Sequence, residues 1–503
     1  MSEHVHVAIV GSGFSGLGMA IRLRQQGIEN VAILERADRL GGTWRENTYP
    51  GCACDIPSKL YSFSFAPNPN WTRAFPGQRE IWDYLEDCAD RFGVRRLIRF
   101  GHDVERMTWD ADDHRWTLQT SEGTLTADVV VAAPGGLSNP SVPDLPGLDL
   151  FAGTVFHSAT WNHEHDLTGA RVAVVGTGAS AIQFVPQIQP HVGALRLFQR
   201  TAPWVVPRRD RAFSRGEIRL YNRLPGLQRL GRGWIYATRE AFYVAFHHPR
   251  LMGLSERMAT AHLARQVPDP ALRAKLTPGY RMGCKRILPS DDYYPSLMRP
   301  NVKVVTDGIR EIRERSILTD DGTEHEVDTI ILATGFHVTD VPMAQHIVGR
   351  EGRTLAQAWD GSPRTHMAMT VAGFPNLFLL AGPNAGLGHN SILYMIESQI
   401  TYVLSALRLI ASRRLAAIEV TQAAQDEFSA EIDRRTEGSV WIAGGCRSWY
   451  LDRTGRNSVL WPGPTWEFRR RTREVDPAQH RMLPARGPLS GDAASDSSVP
   501  SAA

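Results

Sequence analysis

A glycine-rich turn between an apolar strand and a helix, near the start of the chain, restricts the fold more than any other feature. The stretch VHVAIVGSGFSG ends a short strand in G-x-G-x-x-G, formed by Gly11, Gly13 and Gly16, with Ser15 in the same loop. The first glycine permits a tight turn, the second lets backbone amides approach a pyrophosphate, and the third lets helix and strand pack closely. A second strand ends at Glu35, whose carboxylate can accept hydrogen bonds from ribose hydroxyls. Together these features predict a dinucleotide site.

A second copy of the unit lies at residues 171–200. Its strand leads into Gly176-x-Gly178-x-x-Ala181, and its next strand is followed by Arg200 rather than by an acid. An acid there would repel a 2′-phosphate, whereas Arg200 can pair with one, so this loop predicts NADPH rather than NADH. The alternative is that Arg200 is only an exposed surface residue. The other residues expected to contact this cofactor are Thr177, Ala179, Ser180 and Thr201.

Two loops with different nucleotide preferences indicate FAD at the first and NADPH at the second. A later strand ends in Ala-Thr-Gly at 333–335, which is typical of a chain that returns from an inserted NADPH domain to an FAD domain. We therefore expect an α/β fold with two Rossmann-like dinucleotide-binding domains. The expected boundaries are 1–145 and 336–473 for the two parts of the FAD domain, 150–335 for the NADPH domain, and 474–503 for a tail.

Two segments are expected to fall outside this pattern. Residues 210–280, within the NADPH domain, lack strand patterning and predict a helical insertion. Its mixture of Trp, Tyr, Phe and Arg would also suit a helix that lies in a membrane interface, which is the alternative interpretation. The tail is rich in Pro, Ala, Ser and Gly and is expected to be disordered.

Charge and hydropathy limit the classes of partner. With 56 Lys and Arg against 53 Asp and Glu, the net charge of +3 is too small to indicate nucleic-acid binding. No apolar run approaches the roughly 20 residues that a membrane-spanning helix needs. The chain starts with a strand rather than a signal peptide, so the cytoplasm is the expected location. The oligomeric state stays open.

The five cysteines are scattered and lack the spacing of metal ligands, so no metal site is expected and most are expected to be reduced. In the stretch GGTWRENTYPGCACDIP, Trp44 stands where dithiol flavoreductases carry the first cysteine of a redox pair. Cys52 and Cys54 are too close for an unstrained disulfide. A thiol relay is therefore disfavoured, which leaves flavin chemistry with oxygen as the acceptor.

The segment FAGTVFHSATWN, at 151–162, carries the most specific family signal. Its Phe151, Gly153, His157 and Trp161 match the fingerprint F-x-G-x-x-x-H-x-x-x-W of the class B flavoprotein monooxygenases. With both glycine loops and the Ala-Thr-Gly turn in the same order, the chain resembles a type I Baeyer–Villiger monooxygenase from about residue 7 to about residue 472. The match departs at Asn162, where the family has Pro or Asp.

This resemblance implies an NADPH- and O2-dependent Baeyer–Villiger oxidation of a ketone to an ester or lactone, through a flavin C4a-peroxide. An N- or S-oxygenating flavin-containing monooxygenase is the alternative, because Asn162 departs from the fingerprint. A third reading, from another class, is a flavin-binding protein without catalytic activity. The substrate ketone is not identified by the sequence.

The resemblance also implies roles for individual residues. Arg286 is implied as the fixed cation beside the flavin, with Asp55 holding it and Lys285 assisting the 2′-phosphate. Without the resemblance, Lys285 and Arg286 would be read as a surface basic pair. His157 is expected to support the joint between the two domains rather than to act as a base. The remaining residues expected to contact a cofactor or line its pocket are Thr43, Trp44, Tyr61, Val104, Met395 and Trp449.

Overall fold

Two β-sheets, one mixed and one parallel, carry the two glycine loops in the computed structural model, which describes residues 3–485 without the side chains of residues 249 and 250. The strands of this range are β1 Glu3–Val10, β2 Val31–Glu35, β3 Ile98–Phe100, β4 Val104–Asp110, β5 Arg115–Thr120, β6 Gly123–Ala132, β7 Thr154–His157, β8 Arg171–Val175, β9 Ala194–Phe198, β10 Val205–Val206, β11 Leu288–Pro289, β12 Val302–Val305, β13 Ile309–Arg313, β14 Ser316–Thr319, β15 Glu324–Glu326, β16 Thr329–Leu332, β17 Ile347–Val348, β18 Leu377–Leu379, β19 Leu415–Val420 and β20 His480–Pro484.

The helices of the same range include a group of four between β10 and β11. The α-helices are α1 Phe14–Gln25, α2 Thr43–Glu46, α3 Gln78–Arg91, α4 Ala181–Ile188, α5 Arg215–Arg223, α6 Pro225–His247, α7 Pro249–Gln266, α8 Pro270–Lys275, α9 Tyr293–Leu297, α10 Leu355–Trp359, α11 Ile392–Arg413, α12 Gln422–Thr436, α13 Val440–Ala443 and α14 Thr465–Arg471.

The first sheet has the order β17-β4-β5-β6-β1-β2-β3, with β18 also paired to β6. Its central strand β1 runs parallel to both neighbours, with Val7 opposite Val31 and Val129. Side chains of β1 enter an apolar cluster on each face of the sheet, which explains why residues 7–10 form an unbroken hydrophobic run. The loop after β1 is therefore placed at the carboxyl end of the parallel part of this sheet, where ligands bind in such folds.

The second sheet has the order β12-β9-β8-β16-β7 and is parallel in every pairing. Strand β16 lies between β7 and β8, with Leu332 opposite both His157 and Val175. The Ala-Thr-Gly turn and the fingerprint segment thus leave the sheet at the same edge as the second glycine loop. The predicted α/β architecture with two Rossmann-like sheets is confirmed.

The chain returns to the first sheet after completing the second. Strands β17 and β18 join the first sheet, and α11 packs on α1 so closely that a Cβ at Gly18 would lie 3.1 Å from Ile400 Cδ1. Strand β20 pairs antiparallel with β19, with His480 opposite Val420. The disorder expected from residue 474 is therefore wrong up to residue 485, because the backbone of residues 480–484 completes a two-stranded ladder. The rest of the expected tail lies outside the described residues.

A helical insertion occupies the chain between β10 and β11. It consists of α5, α6, α7 and α8, and α6 packs against α5, α7 and α13. Within residues 3–485, no helix combines the length and apolar character needed to cross a membrane.

Candidate active site

The first glycine loop has no room for side chains at two of its three glycines. Gly11 adopts φ +97°, and a Cβ there would lie 2.6 Å from the carbonyl oxygen of Ala133. A Cβ at Gly16 would lie 1.9 Å from the carbonyl oxygen of Gly11, whereas Gly13 faces only the Cα of Gly42, at 3.7 Å. The loop thus brings bare backbone to the start of α1, which fits the cradle that a pyrophosphate requires.

Glu35 is fixed at the end of β2 beside this loop. Its Oε2 accepts hydrogen bonds from the backbone nitrogen and the hydroxyl of Ser12, at 2.9 and 2.6 Å, and its Oε1 accepts one from the nitrogen of Ala37 at 3.0 Å. The backbone nitrogen of His102 donates to the Glu35 carbonyl at 2.9 Å, two residues before Val104 opens β4. Carboxylate oxygens accept more than one hydrogen bond each, so Glu35 keeps capacity for a ribose.

Trp44 and Tyr61 form a buried aromatic pair next to the same loop. The indole nitrogen of Trp44 donates to the hydroxyl of Tyr61 at 3.0 Å, and the two rings meet edge to face at 5.6 Å. Thr43 opens α2, directly after Gly42. Burial raises the pKa of Tyr61 well above its ordinary value, so the phenol stays protonated. Ser15 is buried in the first turn of α1.

Arg286 and Asp55 form a bidentate ion pair where three segments of the chain meet. Arg286 Nε donates to Asp55 Oδ2 at 2.7 Å, and its Nη2 donates to Oδ1 at 2.8 Å. The Nη1 of Arg286 donates to the carbonyl of Leu387 at 3.2 Å, in the glycine-rich loop before α11. The negative charge of Asp55 raises the pKa of Arg286 further above its ordinary value. A permanent cation is thus held rigidly between the two dinucleotide units.

The second glycine loop repeats the geometry of the first. Gly176 adopts φ +111°, and a Cβ there would lie 2.4 Å from the carbonyl oxygen of Ala333. Around Gly178 no heavy atom comes within 4 Å of a Cβ position, so this part of the loop is open. The hydroxyl of Thr177 donates to the carbonyl of Thr201 at 3.1 Å and ties the loop to the end of β9. Residues 179–181 lead into α4, which begins at Ala181.

Arg200, which follows β9, and Lys285, which lies between α8 and β11, are two neighbouring cations. Burial lowers the pKa of Lys285, and the nearby positive charge of Arg200 lowers it further. The Lys285 ammonium lies 5.2 Å from the ring centre of Tyr280. Among residues 3–485, neither Lys285 nor Arg200 makes an ion pair with an acid. Two neighbouring positive charges that no described carboxylate neutralises would attract an anion, and a 2′-phosphate fits this arrangement.

Two other predicted residues occupy different surroundings. Met395 has no exposed surface and lies in the apolar cluster that also contains Trp44 and Leu387, so it does not line an open pocket. Trp449 is exposed, and its ring lies 4.5 Å from that of Tyr450. Neither residue makes a described hydrogen bond to Arg286.

Tyr450 and Arg239 are functional candidates that sequence reasoning missed. Burial raises the pKa of Tyr450 to about 12, and the charge of Arg286 opposes this rise. Burial lowers the pKa of Arg239, on α6, and the charge of Asp55 opposes that shift. Both side chains therefore lie within electrostatic reach of the Arg286–Asp55 pair. Tyr450 directly follows Trp449, but nothing in the sequence around it indicates that it lies near Arg286, which is 164 positions earlier in the chain.

Most of the cysteines are reduced, as expected, but two of them form a disulfide that the sequence did not indicate. Cys284 and Cys446 form a disulfide with a Cα separation of 6.2 Å, across 162 residues of chain. The expected reduced state holds for the other three cysteines, and burial raises the pKa of Cys52 to about 12. A bond between distant segments cannot be read from spacing, because the fold alone brings the two cysteines together.

The fingerprint segment lies at the edge of the second sheet. A Cβ at Gly153 would lie 2.3 Å from the Asp328 carbonyl oxygen, which explains the glycine. His157 Nδ1 accepts from the nitrogen of Ala159 at 3.0 Å, and its ring meets that of Phe336 at 5.9 Å. Burial lowers the pKa of His157, so its ring is neutral near pH 7. These contacts join β7 to the chain after the Ala-Thr-Gly turn.

Comparisons with known proteins extend over almost the whole chain. A family model described as pyridine nucleotide-disulphide oxidoreductase matches residues 8–214. A protein of Streptomyces coelicolor named Baeyer-Villiger monooxygenase is 54% identical over 96% of this chain and 93% of its own length. An oxidized steroid monooxygenase bound to NADP superposes with a TM-score of 0.85 at 32% identity, covering 96% of this chain and 100% of that one. OTEMO in complex with FAD and NADP gives 0.87 at 25% identity and the same coverage.

Proposed function

The chain belongs to the Baeyer–Villiger monooxygenase family, and we propose that it uses NADPH and O2 to convert a ketone into an ester or lactone. The observation that carries the proposal is the Arg286–Asp55 pair, held between two dinucleotide loops whose geometry fits two nucleotides. Bound FAD, reduced by NADPH, supplies the electrons and the oxygen-transfer chemistry. The chain itself binds both cofactors, orients them and supplies fixed charge.

We assign the first loop to FAD. Gly11, Gly13 and Gly16 leave backbone amides free to face the pyrophosphate, and Glu35 is fixed where a ribose would follow. The bonded pair of Trp44 and Tyr61 supports a contact with the flavin, because two buried rings locked by a hydrogen bond keep a rigid wall. Further FAD contacts are assigned to Ser15, Thr43 and Val104.

We assign the second loop to NADPH. Arg200 and Lys285 are two neighbouring cations that a 2′-phosphate would neutralise, and NADH would leave them uncompensated. The remaining contacts on this loop are assigned to Gly176, Thr177, Gly178, Ala179, Ser180, Ala181 and Thr201. Trp449 stays a proposal for the nicotinamide side, whereas Met395, which is fully buried in the apolar core, is assigned no cofactor contact.

Arg286 is proposed as the catalytic cation. Its guanidinium stays charged at every working pH, and it stabilises the negative charge that a ketone oxygen acquires under attack. Asp55 is proposed as its positioning residue, because both carboxylate oxygens hold the guanidinium in one orientation. The Nη1 bond to the Leu387 carbonyl, which lies in the second part of the same expected FAD domain as Asp55, supports the same orientation.

The departure at Asn162 does not favour a different reaction. Its side-chain oxygen accepts a hydrogen bond from the nitrogen of Glu164 at 3.1 Å, in an exposed turn. A local turn contact of this kind has no part in the arrangement around Arg286. We also propose the cytoplasm as the location, since NADPH is supplied there, and cell fractionation of the source organism would test this.

A product analysis tests the proposed reaction. The FAD-loaded enzyme is incubated with NADPH and a set of ketones, sulfides and tertiary amines, and the products are identified by mass spectrometry. We expect esters or lactones that each contain one oxygen atom from labelled O2. Formation of sulfoxides or amine oxides, with no ester from any ketone, would contradict the proposal. NADPH that is not oxidised with any substrate would instead favour a non-catalytic flavin-binding protein.

A further inference from the structure

The helical insertion exposes a row of apolar side chains. On α6, Leu227, Leu230 and Trp234 are spaced three and four residues apart and share one face of the helix. Leu230 is 72% exposed and Trp234 is 73% exposed. Leu224, at the junction of α5 and α6, and Leu220, on α5, are also exposed. We call these five side chains the exposed stripe.

The other face of α6 is bound to the rest of the molecule. Arg232 Nη1 donates to the carbonyl of Lys59 at 3.1 Å, and the ring of Tyr236 stacks on that of Tyr394 at 5.0 Å. One turn further along, the Glu240 carboxylate accepts from the side-chain nitrogen of Asn390 at 2.8 Å. Because these contacts hold the helix in one rotation, its opposite face is directed away from the body of the protein.

The chain around the exposed stripe is strongly basic. Residues 208–232 contain eight arginines and two acids, a net charge of +6, although the whole chain carries only +3. Arg219, Arg223 and Arg229 are exposed beside the stripe. Among residues 3–485, none of these three makes an ion pair with a carboxylate; the acids of this segment, Asp210 and Glu217, pair with Arg73 and Arg211.

We propose that the exposed stripe, with Arg219, Arg223 and Arg229, docks the protein on the surface of an anionic lipid bilayer. Apolar side chains enter the boundary between headgroups and acyl chains, while the guanidinium groups pair with lipid phosphates. Tryptophan is well suited to this depth, because its ring is amphipathic. The helix lies in the interface and needs no spanning segment.

Charge distinguishes this occupant from a second copy of the chain. Two stripes packed against each other would bring together two sets of unneutralised arginines, and like charges at close range repel. An anionic bilayer offers both an apolar layer and the opposite charge. The inference is independent of the oxidation chemistry, since none of the eight residues belongs to the proposed active site.

A vesicle sedimentation assay tests the proposal with the FAD-loaded full chain. Vesicles contain phosphatidylcholine alone or phosphatidylcholine with about 30 mol % phosphatidylglycerol, a fraction that gives a negative surface potential. We expect binding to the anionic vesicles, little binding to the neutral ones, and release as salt is raised. The double variant Leu230→Ser with Trp234→Ser, and the triple variant Arg219→Gln, Arg223→Gln and Arg229→Gln, should each lower the partition coefficient about tenfold or more.

Matched controls use exposed residues elsewhere. Leu150→Ser with Trp466→Ser changes side chains that are 68% and 51% exposed, and Arg96→Gln, Arg106→Gln and Arg299→Gln remove the same charge as the triple variant. We expect both control variants to bind like the wild type, and all four to keep FAD and NADPH oxidation in solution. Equal binding to neutral vesicles, or stripe variants that bind normally, would overturn the proposal. The proposal would also be overturned if the only effect of the stripe variants were to dissociate a dimer, as measured by analytical ultracentrifugation.

Discussion

The guanidinium of Arg286 is held by both carboxylate oxygens of Asp55, at 2.7 and 2.8 Å, although 231 residues separate the two in the chain. The pair joins a segment that follows the second glycine loop to a segment that follows the first. The pair therefore forms only when the two dinucleotide units pack correctly against each other. A variant that breaks the pair changes both the charge and the geometry of the site.

Replacing Asp55 tests the positioning role. Asp55→Asn keeps the shape but removes the charge, so Arg286 keeps its position only in part, and we expect kcat for ester formation to fall about tenfold to a hundredfold. In Asp55→Ala, kcat should fall further. In both variants KM for NADPH should change much less than kcat. Steady-state kinetics with a ketone measure both constants. Asp144→Asn, at an exposed acid without a described partner, is the control, and equal loss in that variant would contradict the positioning role.

Arg200 and Lys285 should decide between the nicotinamide cofactors. We expect Arg200→Gln and Lys285→Met each to raise KM for NADPH about tenfold or more, because each removes a charge-assisted bond to the 2′-phosphate. KM for NADH, which lacks this phosphate, should change little. Arg196→Gln, earlier on β9, is the matched control. Parallel changes with NADPH and NADH would rule out recognition of the 2′-phosphate by these two residues.

Stability should decrease in acid because of a buried histidine. Burial lowers the pKa of His366 to about 4, and its Nδ1 donates to the carbonyl of Ala424 at 3.3 Å. The unfolded chain binds this proton near pH 6.5, so the folded state loses stability as pH falls from about 6.5 to about 4. His366 alone should lower the free energy of unfolding by about 2 kcal/mol at pH 5.

Urea denaturation at pH 7.5 and pH 5, followed by tryptophan fluorescence, measures this dependence. His366→Phe should reduce the difference between the two pH values, because the titrating group is gone. Part of the pH dependence of stability should remain in this variant, because burial also lowers the pKa of His480. A variant with the full wild-type dependence would show that His366 is not responsible.

The Cys284–Cys446 bond should stabilise the folded protein. It lies two residues before Arg286 and four before Tyr450, and it closes a loop across 162 residues. Removing such a bond costs about 2–5 kcal/mol, so we expect dithiothreitol to lower the melting temperature of the wild type. The double variant Cys284→Ser with Cys446→Ser should have a lower melting temperature than the wild type, and dithiothreitol should not change it. Five reactive thiols, rather than three, in denatured and unreduced protein would show that the bond is absent.

Features that depend on neighbouring residues could be predicted from the sequence. Gly11, Gly16 and Glu35 lie within one strand–helix–strand unit, so their spacing alone implied their relative positions, and the observed loop explains why the glycines are required. The expected preference for a 2′-phosphate rests in the same way on a local feature, Arg200 just after one strand, and stays a prediction.

Features that depend on tertiary contacts could not be predicted in this way. The pairing of Arg286 with Asp55 was available only through the resemblance to a family, because no periodicity connects residues so far apart. Tyr450 and the Cys284–Cys446 bond were missed for the same reason. Strand β20 was missed because its short ladder to β19 is decided by packing rather than by composition.

Ester formation by an Arg286 variant tests the central claim most directly. Arg286→Ala and Arg286→Lys are purified with FAD, and ester from a ketone that the wild type accepts is quantified over a single turnover. We expect both variants to bind FAD and the alanine variant to form no detectable ester, a loss of at least about a hundredfold, with partial activity in the lysine variant. Near-normal ester formation by Arg286→Ala would contradict the assignment of Arg286 as the catalytic cation.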